Sequence, residues 1–446
     1  MKKKILKNFN DFQAKTSPNP LNIAVKKAKG SYITDFDNKK YLDFVAGISA
    51  CPLGHRHPKI IKAIKDQLNK YLHVMVYGEF AQKTTTDLAK EIIDLLPKNH
   101  ESIYFTNSGT EAIEGAIKLA KRVTKKSKII AAKNSYHGST YGSLSLLGRK
   151  KQKIGYYPMM PNVRFIKFNS SSDINKIDKK TAGVVLETIQ GGAGFILPRS
   201  GYLKKIKKQC EKVGALLILD EIQPGFGRTG NFFAFEKYNI SPDIIVMGKG
   251  MGGGLPIGAF TSQKKFMKLF ERNPRLGHIT TFGGNPIVAA ASLATIKEIL
   301  NSNLLDKISK KESLFRKNLV HNKIKKINGK GLMLALILES KEIANKLIKE
   351  CLKEGLLLFW LLWKKNAVRI SPPLNIKNKE IKVGCDIIIK VLDKIENKLC
   401  LNKGKKLEIK ELSNILTLLG YEKENVTSIE GKWSRRGEII DIYPVN

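Results

Sequence analysis

Through the middle of the chain, short continuous apolar runs alternate with segments whose apolar residues recur at helical spacing. Ser102–Thr106, Ile129–Ala132, Gly183–Glu187, Ala215–Asp220 and Ile244–Met247 read as strands, and Glu111 to Arg122 carries an amphipathic helical pattern. Strands with no polar alternation, separated by helices, predict an α/β domain on a mostly parallel sheet covered on both faces. Ligands of such sheets sit beyond the carboxyl ends of the strands, so the loops after these runs are where chemistry is expected.

The outer parts of the chain have a different pattern. Gly30–Asp35 and Lys40–Phe44 read as a strand pair, followed by a helix from Pro58 to Leu72. After Pro286 a long helical region leads into two further strand-like runs, Leu332 to Leu338 and Ala367 to Ile370. Beginning and end are expected to share a smaller domain. The expected division is residues 1–75 and 301–400 for the small domain, 76–300 for the large one, and 401–446 for a basic extension. No repeat at a solenoid period is present.

Composition narrows the picture. With 446 residues, 42% of them hydrophobic, the chain can bury a substantial core. Its longest apolar run, Gly355 to Trp363, is too short to cross a bilayer, and Met1-Lys-Lys-Lys leads into Asn, Asp and Gln rather than an apolar signal region. A cytoplasmic protein without a membrane partner is expected. The cysteines (Cys51, Cys210, Cys351, Cys385, Cys400) form no C-x-x-C pair, so neither a zinc site nor a redox disulfide is expected. A formal charge of +40 would attract nucleic acid without regard to sequence, but the lysines are spread along nearly every segment rather than gathered in one patch. Solvated faces are the simpler reading, and a nucleic-acid partner is not expected.

Three segments carry candidate chemistry. Asn107-Ser-Gly-Thr-Glu111 follows a strand and opens a helix, where exposed amides, a glycine and two hydroxyls make a phosphate cradle; an ordinary helix cap uses the same residues. Asp220 ends a buried run and precedes a glycine-rich loop, a position from which a carboxylate can hold a pyridine nitrogen protonated. No His or Cys stands near it at metal-ligand spacing. Lys249 lies between glycines just past another strand, where desolvation lowers an amine's pKa and frees it as a nucleophile. In so lysine-rich a chain, a solvated lysine is the duller alternative, overturned only if the three segments share one site. Cradle, acid and amine, in that order, match the needs of pyridoxal 5'-phosphate.

From about Asp11 to about Lys394 the chain resembles the class-III aminotransferases, which include acetylornithine, ornithine and 4-aminobutyrate aminotransferases. The motifs that carry the likeness are Gly54-His-Arg-His-Pro58, Phe105-Thr-Asn-Ser-Gly-Thr-Glu-Ala112, Ser135-Tyr-His-Gly138, Glu187-Thr-Ile-Gln-Gly191, Leu219-Asp-Glu-Ile-Gln223, Gly225-Phe-Gly-Arg-Thr-Gly230, Gly248-Lys-Gly250, Thr281-Phe-Gly-Gly-Asn-Pro286 and Arg369-Ile-Ser-Pro-Pro-Leu374. The resemblance implies a fold-type I transferase: a large domain on a mostly parallel seven-stranded sheet, plus a small α+β domain formed from both termini. It implies that Lys249 carries the cofactor as a Schiff base and moves the substrate proton. Asp220 would pair with the pyridinium nitrogen and Gln223 with the phenolic oxygen, while Ile222 and Tyr136 flank the ring. Ser108, Gly109 and Thr110 would hold the phosphate, completed by Thr281 from the second subunit of a homodimer. Arg369 would dock a substrate carboxylate, and Glu187 would support the site rather than carry protons.

The chain also departs from that family. Ser139 stands where acetylornithine and 4-aminobutyrate enzymes place an arginine after Tyr/Phe-His-Gly, and Gly192 where ornithine-type enzymes have a glutamate that pairs with the carboxylate-binding arginine. The implied activity is amino transfer from an amino acid or acetylornithine-like ω-amino donor to a 2-oxo acid such as 2-oxoglutarate. An aminomutase or decarboxylase on the same fold, or a basic nucleic-acid-binding protein with a vestigial shell, are the competing readings. Beyond about Leu401, Leu418-Leu-Gly-Tyr-Glu-Lys423 and Arg435 to Pro444 resemble a fragment of the transcription-repair coupling factors, read as a fusion remnant or a docking appendage.

Overall fold

The computed structural model describes residues 1–18, 20–76, 78–395, 408–418, 421–423, 432–436 and 439–443. By their contacts the residues group into two compact units, Met1–Ile389 and Lys390–Asn446.

The first unit is organised around a seven-stranded sheet. In chain order its strands are β4 (Ser102–Thr106), β5 (Lys128–Ala132), β6 (Val163–Ile166), β7 (Thr181–Glu187), β8 (Leu216–Asp220), β9 (Ile244–Gly248) and β10 (Gly258–Ser262), with β1 to β3 preceding them. The spatial order is β4-β10-β9-β8-β7-β5-β6. β6, β5, β7, β8 and β9 run parallel, and β10 lies antiparallel between β9 and β4. β7, β8 and β9 are buried along their whole length, which is why their sequences show no polar alternation. β6 and β10 are not among the runs read as strands from the sequence; β6 carries an exposed arginine, and β10 (Gly-Ala-Phe-Thr-Ser) is too polar and small to stand out.

The helix Gly109–Thr124 packs its apolar stripe on this sheet, with Ile113, Ala116, Ile117 and Ala120 in one cluster with Val185, Ile218 and Val246. Its start is fixed twice. The Ser108 hydroxyl accepts from the Glu111 amide at 3.4 Å, and the Glu111 carboxylate accepts from the Asn107 amide at 2.8 Å. That brings the helix's open amides to the carboxyl end of the sheet.

The smaller layers draw on both ends of the chain. β1 (Val25–Lys29), β2 (Tyr32–Asp35) and β3 (Lys40–Asp43) form an antiparallel ribbon. After β11 (Ile324–Lys330) and β12 (Met333–Leu338), the short β13 (Leu356–Leu357) adds to that ribbon parallel to β3. β14 (Phe359–Trp360) and β15 (Ala367–Ile370) complete a second sheet in the order β11-β12-β15-β14. The helix opening at Pro58 ends at Leu68, four residues before the sequence pattern suggested. The helical stretch after Pro286 is two helices, Pro286–Asn301 and Leu304–Asn318, broken at Asn303 with a left-handed φ of 49°.

The second unit takes in the end of the helix Asn378–Lys394, a helix at Ile409–Leu418 and the strands β16 (Glu422–Lys423), β17 (Lys432–Arg436) and β18 (Ile439–Tyr443), with β17 and β18 antiparallel. The rest of the 401–446 extension lies outside the described residues. Among the described residues no helix is long and apolar enough to cross a membrane.

Candidate active site

A cavity of about 650 Å³ opens where β7, β8 and β9 end. Gly109, Thr110, Tyr136, Asp220, Ile222, Gln223, Lys249 and Arg369 all line it. Two residues expected at the site do not. Ser108 spends its hydroxyl on capping the helix. Thr281 is exposed, at the end of a loop whose Thr280 hydroxyl binds the Asn107 amide group at 2.7 Å.

Each acid and base sits at a strand end. Asp220 closes β8, its Oδ2 lying 2.8 Å from Nδ1 of His137 and its Oδ1 accepting from the Ile222 amide at 3.0 Å. The His137 ring is completely buried, which disfavours its charged form, but the hydrogen bond and charge of Asp220 outweigh that and raise its pKa. The His137 ring behind Asp220 orients that carboxylate. His137 was missed as a functional residue in the sequence reading; its signal was a histidine inside Ser135-Tyr-His-Gly138, but its partner lies 83 positions away.

Glu187 closes β7. Its Oε1 accepts from the Gly191 amide at 2.9 Å and its Oε2 from the Tyr136 amide at 3.3 Å, so it ties two cavity-lining loops together. Burial, with a smaller contribution from Asp220, raises its pKa to about 7. Lys249 follows β9 with a left-handed φ of 43°. Burial lowers its pKa, opposed by the charges of Asp220 and Glu187, so a larger share of the amine is neutral than in a solvated lysine.

The donors on the other side have no protein acceptor among the described residues. Nε2 of Gln223 is buried without a partner, as are Nε and Nη1 of Arg369. The Arg369 guanidinium lies 5.5 Å from the Phe195 ring centre, and burial lowers its pKa to about 10. Buried donors left unpaired cost free energy that a bound acceptor restores.

These features fit pyridoxal 5'-phosphate. Gln223 offers a spare N–H, Asp220 a carboxylate, Lys249 an amine, and the helix at Gly109 its free amides and positive dipole end. A Cβ at Gly109 would stand 2.6 Å from Cδ1 of Ile222, so the glycine lets that side chain lie against the helix start. Among the described residues no group of three His, Cys, Asp or Glu is placed to hold a metal ion.

Comparison with known proteins agrees with this chemistry. Residues 12–392 match the family described as aminotransferase class-III, and residues 399–446 match the UvrB interaction domain. The chain is 36% identical over 378 residues to the acetylornithine aminotransferase of Aquifex aeolicus, covering 83% of this chain and 97% of that one. It is 34% identical over 381 residues to the [LysW]-aminoadipate semialdehyde/glutamate semialdehyde transaminase of Sulfolobus acidocaldarius, covering 84% and 96%. Among solved structures, the ornithine aminotransferase of Toxoplasma gondii with partial occupancy of PLP at its active site superimposes with a TM-score of 0.82 at 26% identity, covering 89% of this chain and 95% of that one. The chain belongs to the class-III aminotransferases and is a transaminase that works with pyridoxal 5'-phosphate.

Proposed function

We propose that this transaminase takes its amino group from an amino acid or an ω-amino donor of the acetylornithine kind and delivers it to a 2-oxo acid. Relatives bearing the acetylornithine name, at about one third identity over nearly their whole length, support the donor class. The observation that carries the reading is the convergence of Lys249, Asp220, Gln223 and the unpaired Arg369 on one cavity.

When bound, the cofactor supplies the electron sink and the resting place of the amino group between two half-reactions. The protein's residues do the rest. Lys249 would hold the cofactor through its amine and, when that amine is free, would carry the proton taken from the substrate carbon. Asp220, oriented by His137, would face the ring nitrogen with its carboxylate, and Gln223 would donate to the phenolic oxygen. Ile222 and Tyr136 would flank the ring. The amides at Gly109 and Thr110, with the Thr110 hydroxyl, would hold the phosphate, Ser108 shaping that turn as its cap. Arg369 binds the substrate carboxylate with its free N–H groups.

In the same reading the enzyme is a cytoplasmic homodimer. The exposed Thr281 of each subunit reaches the phosphate site of the other, which accounts for its absence from the cavity of its own chain. Residues 1–75 with 301–400 form the small domain, 76–300 the large one, and 401–446 an appended extension.

The test is a half-reaction. Donor alone should discharge the absorbance of the lysine-bound cofactor, and a 2-oxo acid added afterwards should restore it, with 2-oxoglutarate and pyruvate compared as acceptors. Restoration without an acceptor would mean a mutase, and release of carbon dioxide a decarboxylase.

A further inference from the structure

Next to the helix start at Gly109, one segment of chain covers the cavity. Tyr136, Gly138, Ser139 and Thr140 line it, and the short helix Tyr141–Ser145 follows directly. Two glycines set how closely that segment lies on the helix Gly109–Thr124. A Cβ at Gly138 would collide with the Thr110 hydroxyl, and one at Gly142 with the Glu114 carboxylate. Thr110 and Glu114 stand one turn apart on that helix and so share the face under the segment.

Three hydroxyls meet there. Thr110 Oγ1 lies 2.7 Å from Thr140 Oγ1 and 2.6 Å from Ser143 Oγ. The other two hydroxyls have acceptors of their own: Thr140 Oγ1 donates to Glu114 Oε1 at 2.6 Å, and Ser143 Oγ to the Thr140 carbonyl at 3.0 Å. The Ser143 amide donates to the same Glu114 oxygen at 2.9 Å, and the Thr140 amide to Thr110 Oγ1 at 3.3 Å. A hydroxyl has a single proton to give. With those of Thr140 and Ser143 committed, the Thr110 proton is the one that can turn to a ligand without breaking a bond to a carboxylate or carbonyl. Lys118, one turn beyond Glu114, stands at the spacing of an ordinary helical ion pair but reaches Nδ1 of His278 at 3.2 Å, leaving the carboxylate to the segment. A negative charge this near a bound phosphate works against it, so what Glu114 contributes is the pair of bonds it accepts.

We infer that Glu114 is a positioning residue of the phosphate site. By holding the Thr140 hydroxyl and the Ser143 amide it seats the segment over Thr110 and leaves the Thr110 hydroxyl as the donor for a phosphate oxygen. Glu114 does not itself line the cavity and acts through these groups. This rests on the placement of the phosphate at Gly109 and Thr110 and adds the group behind it.

The test is binding of two ligands to the full-length protein freed of its cofactor: pyridoxal 5'-phosphate, and pyridoxal, which lacks the phosphate. Glu114→Ala should raise the Kd for pyridoxal 5'-phosphate about tenfold or more and the Kd for pyridoxal less than about threefold. Glu114→Gln, which keeps an acceptor oxygen and drops the charge, should stay within about threefold of wild type for both. Equal weakening towards the two ligands would mean a merely structural role and overturn the inference, as would unchanged affinity in Glu114→Ala or a glutamine variant as weak as the alanine one. Should Glu114→Ala fail to fold, Thr140→Val removes the hydroxyl link alone and should raise the Kd for pyridoxal 5'-phosphate about threefold or more, selectively; no selective loss would overturn the inference. A wild type that binds both ligands alike brings down the phosphate placement as well; one that prefers the phosphate, with that preference intact in Glu114→Ala, fails only the inference.

Discussion

Asp220 and Arg369 are both buried charged groups facing one cavity, the first with two hydrogen-bond partners and the second with two donor nitrogens left over. The difference extends to their surroundings. Near Asp220 the carboxylate and hydroxyl groups are paired off: Glu187 with the Tyr136 and Gly191 amides, Thr110 with the Thr140 and Ser143 hydroxyls at 2.7 and 2.6 Å. Beside Arg369 stands the Phe195 ring, and Phe359 lines the same cavity. A paired end is set before anything binds, which suits chemistry common to every turnover. An unpaired end is costly until a ligand arrives, so its interactions report on which ligand that is.

The largest effect should come from the paired end. Lys249→Ala should still take up cofactor but lower turnover by about a thousandfold or more in single-turnover assays. Retained transaminase activity in that variant would refute the assignment. Asp220→Asn, which leaves His137 facing an amide, should lower kcat about a hundredfold with little change in KM; a change confined to KM would place Asp220 at the wrong end of the comparison.

The unpaired end should answer differently. Arg369→Ala should raise KM for carboxylate substrates about 10- to 100-fold, the worth of charge-assisted hydrogen bonds, with kcat less affected. Without substrate, Arg369→Met should raise Tm, because it removes a buried cation that has no counter-charge. A fall in Tm would show that the arginine is structural and dissolve the contrast.

The smallest effect concerns pH. Burial raises the Glu187 carboxyl from 4.5 to about 7 in the folded protein. Between those values the folded chain holds a proton the unfolded chain has lost, so stability declines as pH rises through the window and levels off above it. Glu187→Gln should make the fall of Tm between pH 5 and 7 shallower without abolishing it, since buried Glu221, raised to about 8, acts in the same direction. Equal slopes in variant and wild type would count against a protonated Glu187.

The paired end was readable from the sequence because its parts are local. A strand end followed by a short loop places Asp220 and Ile222 within three residues, and Ser108 to Thr110 announce a helix start. The five runs read as strands in the middle of the chain all lie in the central sheet; β5, β7, β8 and β9 are buried along nearly their whole length, which leaves an unmixed apolar signature, while β4 is a half-buried edge strand. His137 behind Asp220 escaped notice because nothing in a histidine's neighbours reveals a partner in another strand's loop. The unpaired end was half visible. Gly192, which lines the cavity, showed that an expected side chain was missing, but not that Trp363, 171 positions further on, occupies its space: a Cβ at residue 192 would stand 2.7 Å from Nε1 of that indole. Pattern along a chain reports burial; it does not report which two distant segments compete for one volume.

That competition bears on how this pocket can be altered. Residues 192 and 363 are a single mutational unit: a larger residue at 192 is blocked while the indole is present, and removing the indole alone leaves a void with no new function. Stepwise change at either position is therefore a poor route to new substrates, and a library that randomises the two together searches variants that one-at-a-time scanning never reaches.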